Sequence, residues 1–246
     1  MRIEHLLKII EKDPNFYPWS TEKDCVEFIA TLIIITQSKI ILELGTFLGY
    51  TSIYLLKSIP SDGIVFTVDI LDQFYSKYFK LLSKKDKNRL TFIHDTTVNA
   101  LKYKLNKITF DAIFIDADHE FKSCFSDFTY SLCHVKKGTI LILHDALNEA
   151  TPGVKQTINI LKGINFIFKN SLFEIISFST PPRKFNVPAS GICIIKILSE
   201  TTWLYFRLAL LLFQIINLCI PNSPSVNIQS ILEKHVSQFI KGKNIF

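Results

Sequence analysis

The chain contains five short apolar runs, each followed by an interval long enough for a helix, and this alternation limits the folds open to it. A run that is apolar throughout is typical of a strand covered on both faces. Such strands, separated by helices, form parallel α/β sheets. The runs predict strands over residues 39–45, 63–70, 89–95, 110–117 and 138–146.

Two further β-rich runs, 172–180 and 190–198, follow a helix predicted over 152–163. The segment between them, PPRKFNVPA at 181–189, is too short for a crossover helix, so an antiparallel pair at the sheet edge is expected. The predicted fold class is therefore α/β, with a Rossmann-like seven-stranded sheet in a three-layer α/β/α arrangement. The sheet is expected to be mostly parallel, with an antiparallel edge pair.

Both ends of the chain are predicted to be helical. Apolar residues at helical spacing occupy 2–11 and recur after Thr21, where the letters TEKD are typical of an N-cap with an acidic third residue. We expect residues 1–38 to form an N-terminal helical cover and residues 39–200 to form the Rossmann-like domain. Residues 201–246 are expected to form an apolar C-terminal helical extension.

The stretch 203–220 within that extension holds a single charge in 18 residues, close to the lower limit for a bilayer span. Its polar members Arg207, Gln214 and Asn217 fall in a narrow stripe of a helix. This pattern favours packing on the core or on a second subunit, as in a homodimer. A helix lying in a membrane interface and a spanning helix are the alternatives. A last amphipathic helix is predicted over 226–240.

The net charge and the cysteine content limit the binding partners and the cellular compartment that can be expected for this protein. The net charge is +6, but the basic cluster at 80–90 is interpreted as a solvated helix end, so no nucleic-acid partner is predicted. The five cysteines are scattered without a CxxC pair, which argues against a zinc site. Without a signal-peptide pattern at the N-terminus, they indicate reduced thiols in a cytoplasmic location, with membrane association through 203–220 as an addition.

Polar side chains stand at the carboxyl ends of all five predicted parallel strands, where α/β sheets bind their ligands. A single carboxylate there is explained by a helix N-cap. Several around one crevice repel one another unless a cation or hydrogen-bond donors compensate them. The sequence therefore predicts a ligand with hydroxyls, amines or positive charge, or a metal ion. The residues are Glu43, Asp69, Asp95, Asp116, Asp118, His119, His144 and Asp145.

The segment IILELGTFLGYTSIYLL, residues 40–56, places Gly45 and Gly49 four apart between a strand and a helix. A dinucleotide fold requires GxGxxG, but Thr46 stands where closest approach to a pyrophosphate would need glycine. A P-loop requires Lys-Ser/Thr after the last glycine, and Tyr50 and Thr51 follow instead. Phosphate binding is therefore disfavoured, and a tight turn without a ligand role is the alternative.

Five motifs, in order ILELGTFLGYTS, VDI, HDTT, DAIFIDADH and GTILILHDA, resemble those of the class I S-adenosylmethionine-dependent methyltransferases. The resemblance covers about residues 20–198. It is strongest with the small metal-dependent O-methyltransferases of the catechol and caffeoyl-CoA type and with relatives whose fourth motif reads Asp-x-Asp-His. It implies S-adenosyl-L-methionine as cofactor and transfer of its methyl group to a hydroxyl of a small-molecule acceptor. A catalytically inactive cofactor-binding scaffold and a membrane-associated one are the alternatives.

The same resemblance implies where the cofactor binds. The loop at 43–49 would lie under the methionine moiety, Asp69 would accept hydrogen bonds from the ribose hydroxyls, and Asp95 with Thr96 would edge the adenine. A carboxylate is an acceptor-only partner, which suits a diol or an exocyclic amine. The full set is Glu43, Gly45, Thr46, Gly49, Thr51, Asp69, Ile70, Asp95, Thr96 and Asp116.

The last two motifs contain the residues that the resemblance assigns to metal binding and catalysis. Asp116 and Asp145 match the metal-binding carboxylates of those relatives, but Ala146 stands where they carry asparagine. Two carboxylates and water suit Mg²⁺, and His119 or His144 would suit a softer divalent ion. His119 stands where those relatives carry a lysine and is predicted to be the general base, with Asp116 as the second catalytic residue. A capping or structural role for His119, and a role without chemistry for His144, are the alternatives.

Overall fold

The computed structural model describes residues 1–180 and 190–199. All seven predicted strands are present in this part of the chain, and they form one sheet. Their bounds are β1 Ile40–Leu44, β2 Ile64–Asp69, β3 Leu90–His94, β4 Ala112–Ile115, β5 Ile140–His144, β6 Phe173–Phe178 and β7 Ile192–Ile197.

The strand order across the sheet is β3-β2-β1-β4-β5-β7-β6. Strands β1 to β5 are parallel, whereas β7 runs antiparallel to β5 and β6 runs antiparallel to β7. The mostly parallel sheet with an antiparallel edge pair is therefore confirmed. The order reverses between β1 and β4, and in open α/β sheets ligands bind in the crevice at such a reversal.

Helices connect the strands and cover the sheet. Their bounds are α1 Ile3–Ile10, α2 Phe16–Trp19, α3 Lys23–Ile35, α4 Tyr50–Ser58, α5 Gln73–Lys77, α6 Lys84–Lys87, α7 Thr97–Asn99, α8 Phe121–Ser131 and α9 Pro152–Ile167. Short 3₁₀ turns occupy Phe79–Leu81 and Leu132–His134, and a π-helical turn at Ala100–Lys104 continues α7. The helix predicted over 152–163 thus continues for one more turn, past Gly163.

Each face of the sheet carries its own apolar core, because neighbouring residues of a strand point to opposite faces. Leu42 and Leu44 of β1 lie in the core formed with α8 and α9, whereas Ile41 lies in the core formed with α1, α3 and α4. Strands β4 and β5 alternate in the same way. The three-layer α/β/α arrangement is confirmed for the described part of the chain.

The predicted N-cap role of Thr21 is wrong. Helix α3 begins at Lys23, its N-cap residue is Glu22, and no side chain caps it. The Thr21 hydroxyl instead donates to Oδ2 of Asp116 at 2.8 Å. It also accepts a hydrogen bond from the Thr51 hydroxyl at 3.2 Å, so its partners lie in distant segments and not in the first turn of α3.

Three predicted features lie outside the described residues. They are the PPRKFNVPA connection at 181–189, the apolar stretch 203–220 and the helix at 226–240. Among residues 1–180 and 190–199, no helix combines the length and apolar character needed to cross a membrane.

Candidate active site

A cleft of about 680 Å³ opens at the carboxyl ends of β1, β2 and β4. This volume is in the range of small-molecule binding sites. The predicted site residues that line it are Gly45, Thr46, Thr51, Asp69, Ile70, Thr96, Asp116, Asp118 and His119. The structure therefore gathers these residues, from both halves of the sheet, around one cavity. Glu43, Gly49, Asp95, His144 and Asp145 are not among its lining residues.

The two glycines of the loop between β1 and α4 are required by backbone geometry. Gly45 has φ of +99°, and a Cβ placed on it would lie 2.3 Å from the carbonyl oxygen of Asp116. Gly49 has φ of +76°, and a Cβ there would lie 2.1 Å from the ring of Phe74. A side chain at either position would be both strained and obstructed. Gly45 thus allows the loop to pass directly over the end of β4.

Asp69, the last residue of β2, holds this loop in place. Its Oδ2 accepts hydrogen bonds from the backbone N–H of Thr46 at 2.9 Å and of Phe47 at 2.7 Å. Its Oδ1 accepts one from the backbone N–H of Leu71 at 2.8 Å. A carboxylate offers about four acceptor positions, so Asp69 retains capacity for a ligand donor. The structure adds a loop-anchoring role that the sequence did not indicate.

Glu43 is fully buried on the other side of the loop, away from the cleft lining. Its Oε2 accepts hydrogen bonds from the hydroxyls of Ser52 and Thr67. Burial raises the pKa of Glu43 to about 8, because these hydroxyls only partly replace the lost water. Glu43 is therefore mainly protonated at pH 7.

Asp95 lies outside the cleft and is already paired. It forms a salt bridge with Lys104 at 2.8 Å and accepts a hydrogen bond from the backbone N–H of Thr96 at 2.8 Å. The hydrogen bond from Lys104 lowers the pKa of Asp95. Its neighbour Thr96 does line the cleft, and the Thr96 hydroxyl caps α7 by accepting from the N–H of Asn99 at 3.2 Å.

Beside the cleft, Glu22, Asp116, His119, His144 and Asp145 form a connected group that we call the acid–histidine cluster. The imidazole of His144 is buried at its centre. Its Nδ1 lies 3.0 Å from Oδ1 of Asp116, and its Nε2 lies 2.7 Å from Oε2 of Glu22. The His144 side chain therefore joins the end of the sheet to the start of α3.

The protonation of His144 and Asp116 follows from this contact. Burial alone would lower the pKa of His144, but the charge of Asp116 and hydrogen bonds to its neighbours raise it well above its usual value. Burial alone would raise the pKa of Asp116, but the charge and hydrogen bond of His144 lower it. The pair is therefore an imidazolium and a carboxylate.

His119 and Asp145 form a second pair at the mouth of the cluster. Nε2 of His119, which lines the cleft, lies 3.3 Å from Oδ2 of Asp145. Asp145 has φ of +56°, a left-handed conformation that aspartate adopts more readily than most residues. Because Nε2 faces a carboxylate, Nδ1 is the ring nitrogen left to exchange a proton with a ligand.

The predicted metal ligands Asp116, His144 and Asp145 lie close together, with one ligand atom from each within 4.8 Å of the others. Nδ1 of His144 faces both carboxylates, at 3.0 Å and 3.7 Å, while Nε2 contacts Glu22. Metal-bound histidines commonly donate their second N–H to a carboxylate in this way. The donor set therefore fits a divalent cation once Nδ1 of His144 gives up its proton to become a ligand, although Ala146 offers no side-chain ligand.

Several residues of the site gave no usable signal in the sequence. Glu22 lies 122 positions before its partner His144, and Ser190, which donates to Glu22, lies a further 46 positions beyond His144. Asp127 of α8 and Thr97 also line the cleft and are hydrogen-bonded to each other. Only the fold brings these residues to the carboxyl ends of the strands.

Comparison with known proteins identifies relatives by sequence. The family model described as O-methyltransferase matches residues 2–163. An Arabidopsis thaliana protein that carries the name of a caffeoyl-CoA O-methyltransferase is 29% identical over 141 residues, which are 56% of this chain and 60% of that protein. The tapetum-specific methyltransferase 1 of the same plant is 30% identical over 94 residues, 37% of this chain and 40% of its own. The matched region thus spans less than two thirds of either relative.

Solved structures show the same fold. The O-methyltransferase TomG of Streptomyces achromogenes, solved with SAM, superposes with a TM-score of 0.64 at 18% identity, covering 80% of this chain and 89% of its own. An O-methyltransferase of Bacillus cereus, solved with SAH, gives a TM-score of 0.63 at 20% identity over 79% and 90% of the two chains.

Proposed function

The chain belongs to the O-methyltransferase family, and from that premise we propose that it transfers the methyl group of S-adenosyl-L-methionine to a hydroxyl of a small-molecule acceptor. One observation carries the proposal. His119, which is held by Asp145, lines the same cleft as the glycine loop and Asp69. A proton acceptor and a cofactor-sized cavity therefore share one space.

The charges of the cleft suit this cofactor. S-adenosylmethionine carries a sulfonium and an ammonium group, a ribose diol and an adenine amine, all of which favour acidic or hydrogen-bond-accepting surroundings. The acidic and basic residues lining the cleft are Asp69, Asp116, Asp118, Asp127, His119 and Lys122. Acceptors therefore predominate among the described lining residues. TomG and the Bacillus cereus enzyme, whose fold this chain shares, were solved with SAM and SAH.

The chemistry assigned to this chain is positioning and proton transfer. The cofactor supplies an electrophilic methyl carbon, and the acceptor oxygen forms a bond to it as the sulfur–carbon bond breaks. His119 takes the hydroxyl proton through Nδ1, while Asp145 holds the ring and stabilises the imidazolium that forms. Holding the two reactants in line contributes most of the rate enhancement.

A divalent cation, Mg²⁺ or a softer ion, is the finer part of the proposal. Asp116, His144 and Asp145 would hold it, and it would lower the pKa of an acceptor hydroxyl. Adding Mg²⁺ or Mn²⁺ should raise the thermal midpoint of the wild-type protein and have less effect on Asp145→Asn. Equal midpoints with and without both ions would contradict metal binding.

His119→Gln is the test of the catalytic role. We expect methyl transfer to fall about 100-fold or more, because general bases contribute roughly that factor. The Kd for S-adenosylhomocysteine should stay within about threefold, since Asp69 and the loop are intact. Transfer is measured by mass spectrometry with catechol and caffeoyl-CoA as hydroxyl probes, and binding is measured by calorimetry.

The exposed His5 of α1 provides a matched control, because His5→Gln makes the same change at a residue that does not line the cleft. Wild-type transfer rates in His119→Gln would contradict the general-base role. Binding of S-adenosylhomocysteine by the wild type without any methylated product would favour the inactive scaffold instead.

A cytoplasmic location and a contact through 203–220, with a second subunit or a membrane surface, stay predictions from the sequence. Liposome co-sedimentation of the full chain and of a chain truncated after residue 200 measures the membrane contact. Equal pelleting of the two forms would argue against it. The molar mass of the same two forms in solution tests the dimer.

A further inference from the structure

Asp127 lies on helix α8, which packs against α7. It lines the cavity together with Thr96, Thr97 and Val98, yet its side chain is only 2% exposed. Oδ1 accepts a hydrogen bond from the Thr97 hydroxyl. Oδ2 is buried and has no hydrogen-bond partner among the described residues.

An unpartnered buried carboxyl oxygen is costly, since a buried polar group left without a hydrogen bond costs about 1–3 kcal/mol. Burial raises the pKa of Asp127 to about 7, with a smaller contribution from the charge of Asp118. The hydrogen bond from Thr97 opposes this rise but satisfies only one of the two oxygens. Asp127 thus lines the cavity and carries one acceptor that no described residue satisfies, and a donor on a bound ligand would satisfy it.

The other carboxyls of the cleft are already engaged. Asp69 holds three backbone amides, Asp116 is bonded to His144 and Thr21, and Asp118 accepts from the N–H of Glu120 at 3.1 Å. Asp95, which the resemblance assigns to the adenine, is paired with Lys104 outside the cavity. Among the described cleft residues, Asp127 therefore holds the best-placed unsatisfied acceptor beside the residues that follow β3.

We propose that Asp127, held by Thr97, accepts a hydrogen bond from the exocyclic amine of the cofactor's adenine and so selects adenine over 6-oxopurines. This inference rests on the proposed function, because it assumes that S-adenosylmethionine occupies the cleft. An adenine amine presents two hydrogens and no acceptor. A 6-oxopurine presents a carbonyl oxygen at the same place, and above about pH 7, where Asp127 is mostly ionised, that oxygen would face Oδ2 without a hydrogen between them.

The test compares two ligands that differ at that position, S-adenosylhomocysteine and S-inosylhomocysteine, by calorimetry at about pH 8, where most of Asp127 is ionised. The wild-type protein should prefer the adenosyl ligand about 10- to 100-fold, the factor that one unmatched buried acceptor produces. In Asp127→Asn, the Thr97 hydroxyl retains the amide oxygen as acceptor, so the amide NH₂ replaces Oδ2. That NH₂ can donate a hydrogen bond to the carbonyl of the inosyl ligand, but it faces another donor in the amine of the adenosyl ligand. The preference for the adenosyl ligand should therefore fall to about one or reverse.

Asp127→Leu is the second variant, for the case in which the amide variant does not fold. It removes the acceptor without adding a donor and should bring the preference to about one. Asp95→Asn, which alters a carboxyl outside the cavity, should keep the wild-type preference. The readout is the ratio of two dissociation constants, which a purely structural role would not change.

Equal weakening of both ligands in the Asp127 variants, with the ratio unchanged, would overturn the inference while leaving the proposed function intact. A wild-type protein that binds neither ligand would contradict the proposed function itself. A wild-type ratio of about one with tight binding of both ligands would also overturn the selection of adenine.

Discussion

Glu43 and Asp116 are acidic residues at the carboxyl ends of neighbouring strands, yet their protonation states differ. Glu43 is fully buried and its partners are two hydroxyls, so its pKa rises to about 8. The Asp116 side chain is 14% exposed and its partner is the His144 imidazole, so its pKa falls. The partner, rather than the position in the sheet, sets the charge of the residue.

The same difference separates the two regions around them. The loop region, which comprises Glu43, the loop at 45–49 and Asp69, is held by hydroxyls and backbone amides. The acid–histidine cluster is held by ionic contacts through His144 and His119. The loop region is therefore suited to holding a ligand in position, and the cluster is suited to proton chemistry.

Gly45→Ala should have the largest effect, because Gly45 is where the two regions touch. The added Cβ would lie 2.3 Å from the Asp116 carbonyl oxygen at a φ of +99°. Strain of this kind against backbone atoms should cost about 5 kcal/mol in the free energy of unfolding, measured with denaturant. Gly163→Ala, in helix α9 with nothing within 4 Å of the added Cβ, is the control and should stabilise by about 0.5–1 kcal/mol. Equal effects of the two changes would contradict the close approach.

His144→Leu breaks the cluster and leaves the loop region untouched. Removing the imidazole leaves the carboxylates of Glu22 and Asp116 without their shared partner. Loss of one member of a buried ionic group costs roughly 3–5 kcal/mol, so the free energy of unfolding should fall by about 4 kcal/mol at pH 7. A fall below about 1 kcal/mol would show that the cluster does not stabilise the fold.

Glu43→Gln tests the protonation state of Glu43 through the pH dependence of the free energy of unfolding. The pKa of Glu43 is about 8 when folded and near 4.5 when unfolded, so the protonated form is favoured by folding. The wild type therefore loses stability as pH rises from about 4.5 to 8, at up to about 1.4 kcal/mol per unit. The neutral variant does not undergo this loss. Its free energy of unfolding, relative to that of the wild type, should therefore rise by a few kcal/mol between pH 4.5 and pH 8. Parallel stability curves for the two proteins would show that Glu43 is ionised in the fold.

The sheet could be predicted from sequence because its signals are local. Apolar runs marked all seven strands, and the short connection at 181–189 indicated the antiparallel pair. The strand-end acids were also identified, and most of the residues assigned to the cofactor line one cleft. These features depend on spacing within a few residues and on the general rule for parallel sheets.

Contacts between distant segments could not be predicted. Thr21 carried a local N-cap signal, but it is bonded to Asp116, 95 positions later. Glu43 was expected under the cofactor, although strand alternation places it with Ile41 on the face covered by α4, where Ser52 meets it. Nothing in the spacing of the helix α8 residues distinguishes Asp127 as a cavity residue.

The central claim is that the cofactor binds at the loop region through Asp69 and not through Asp95. Calorimetric titration of S-adenosylhomocysteine into the wild type, Asp69→Ala and Asp95→Ala tests it most directly. Asp69→Ala leaves three backbone amides without their acceptor and removes the proposed ribose contact, so the Kd should rise roughly 100-fold or more. Asp95→Ala should stay within about threefold of the wild type, since its salt bridge is exposed. Wild-type affinity in Asp69→Ala, or an equal loss in both variants, would contradict the account.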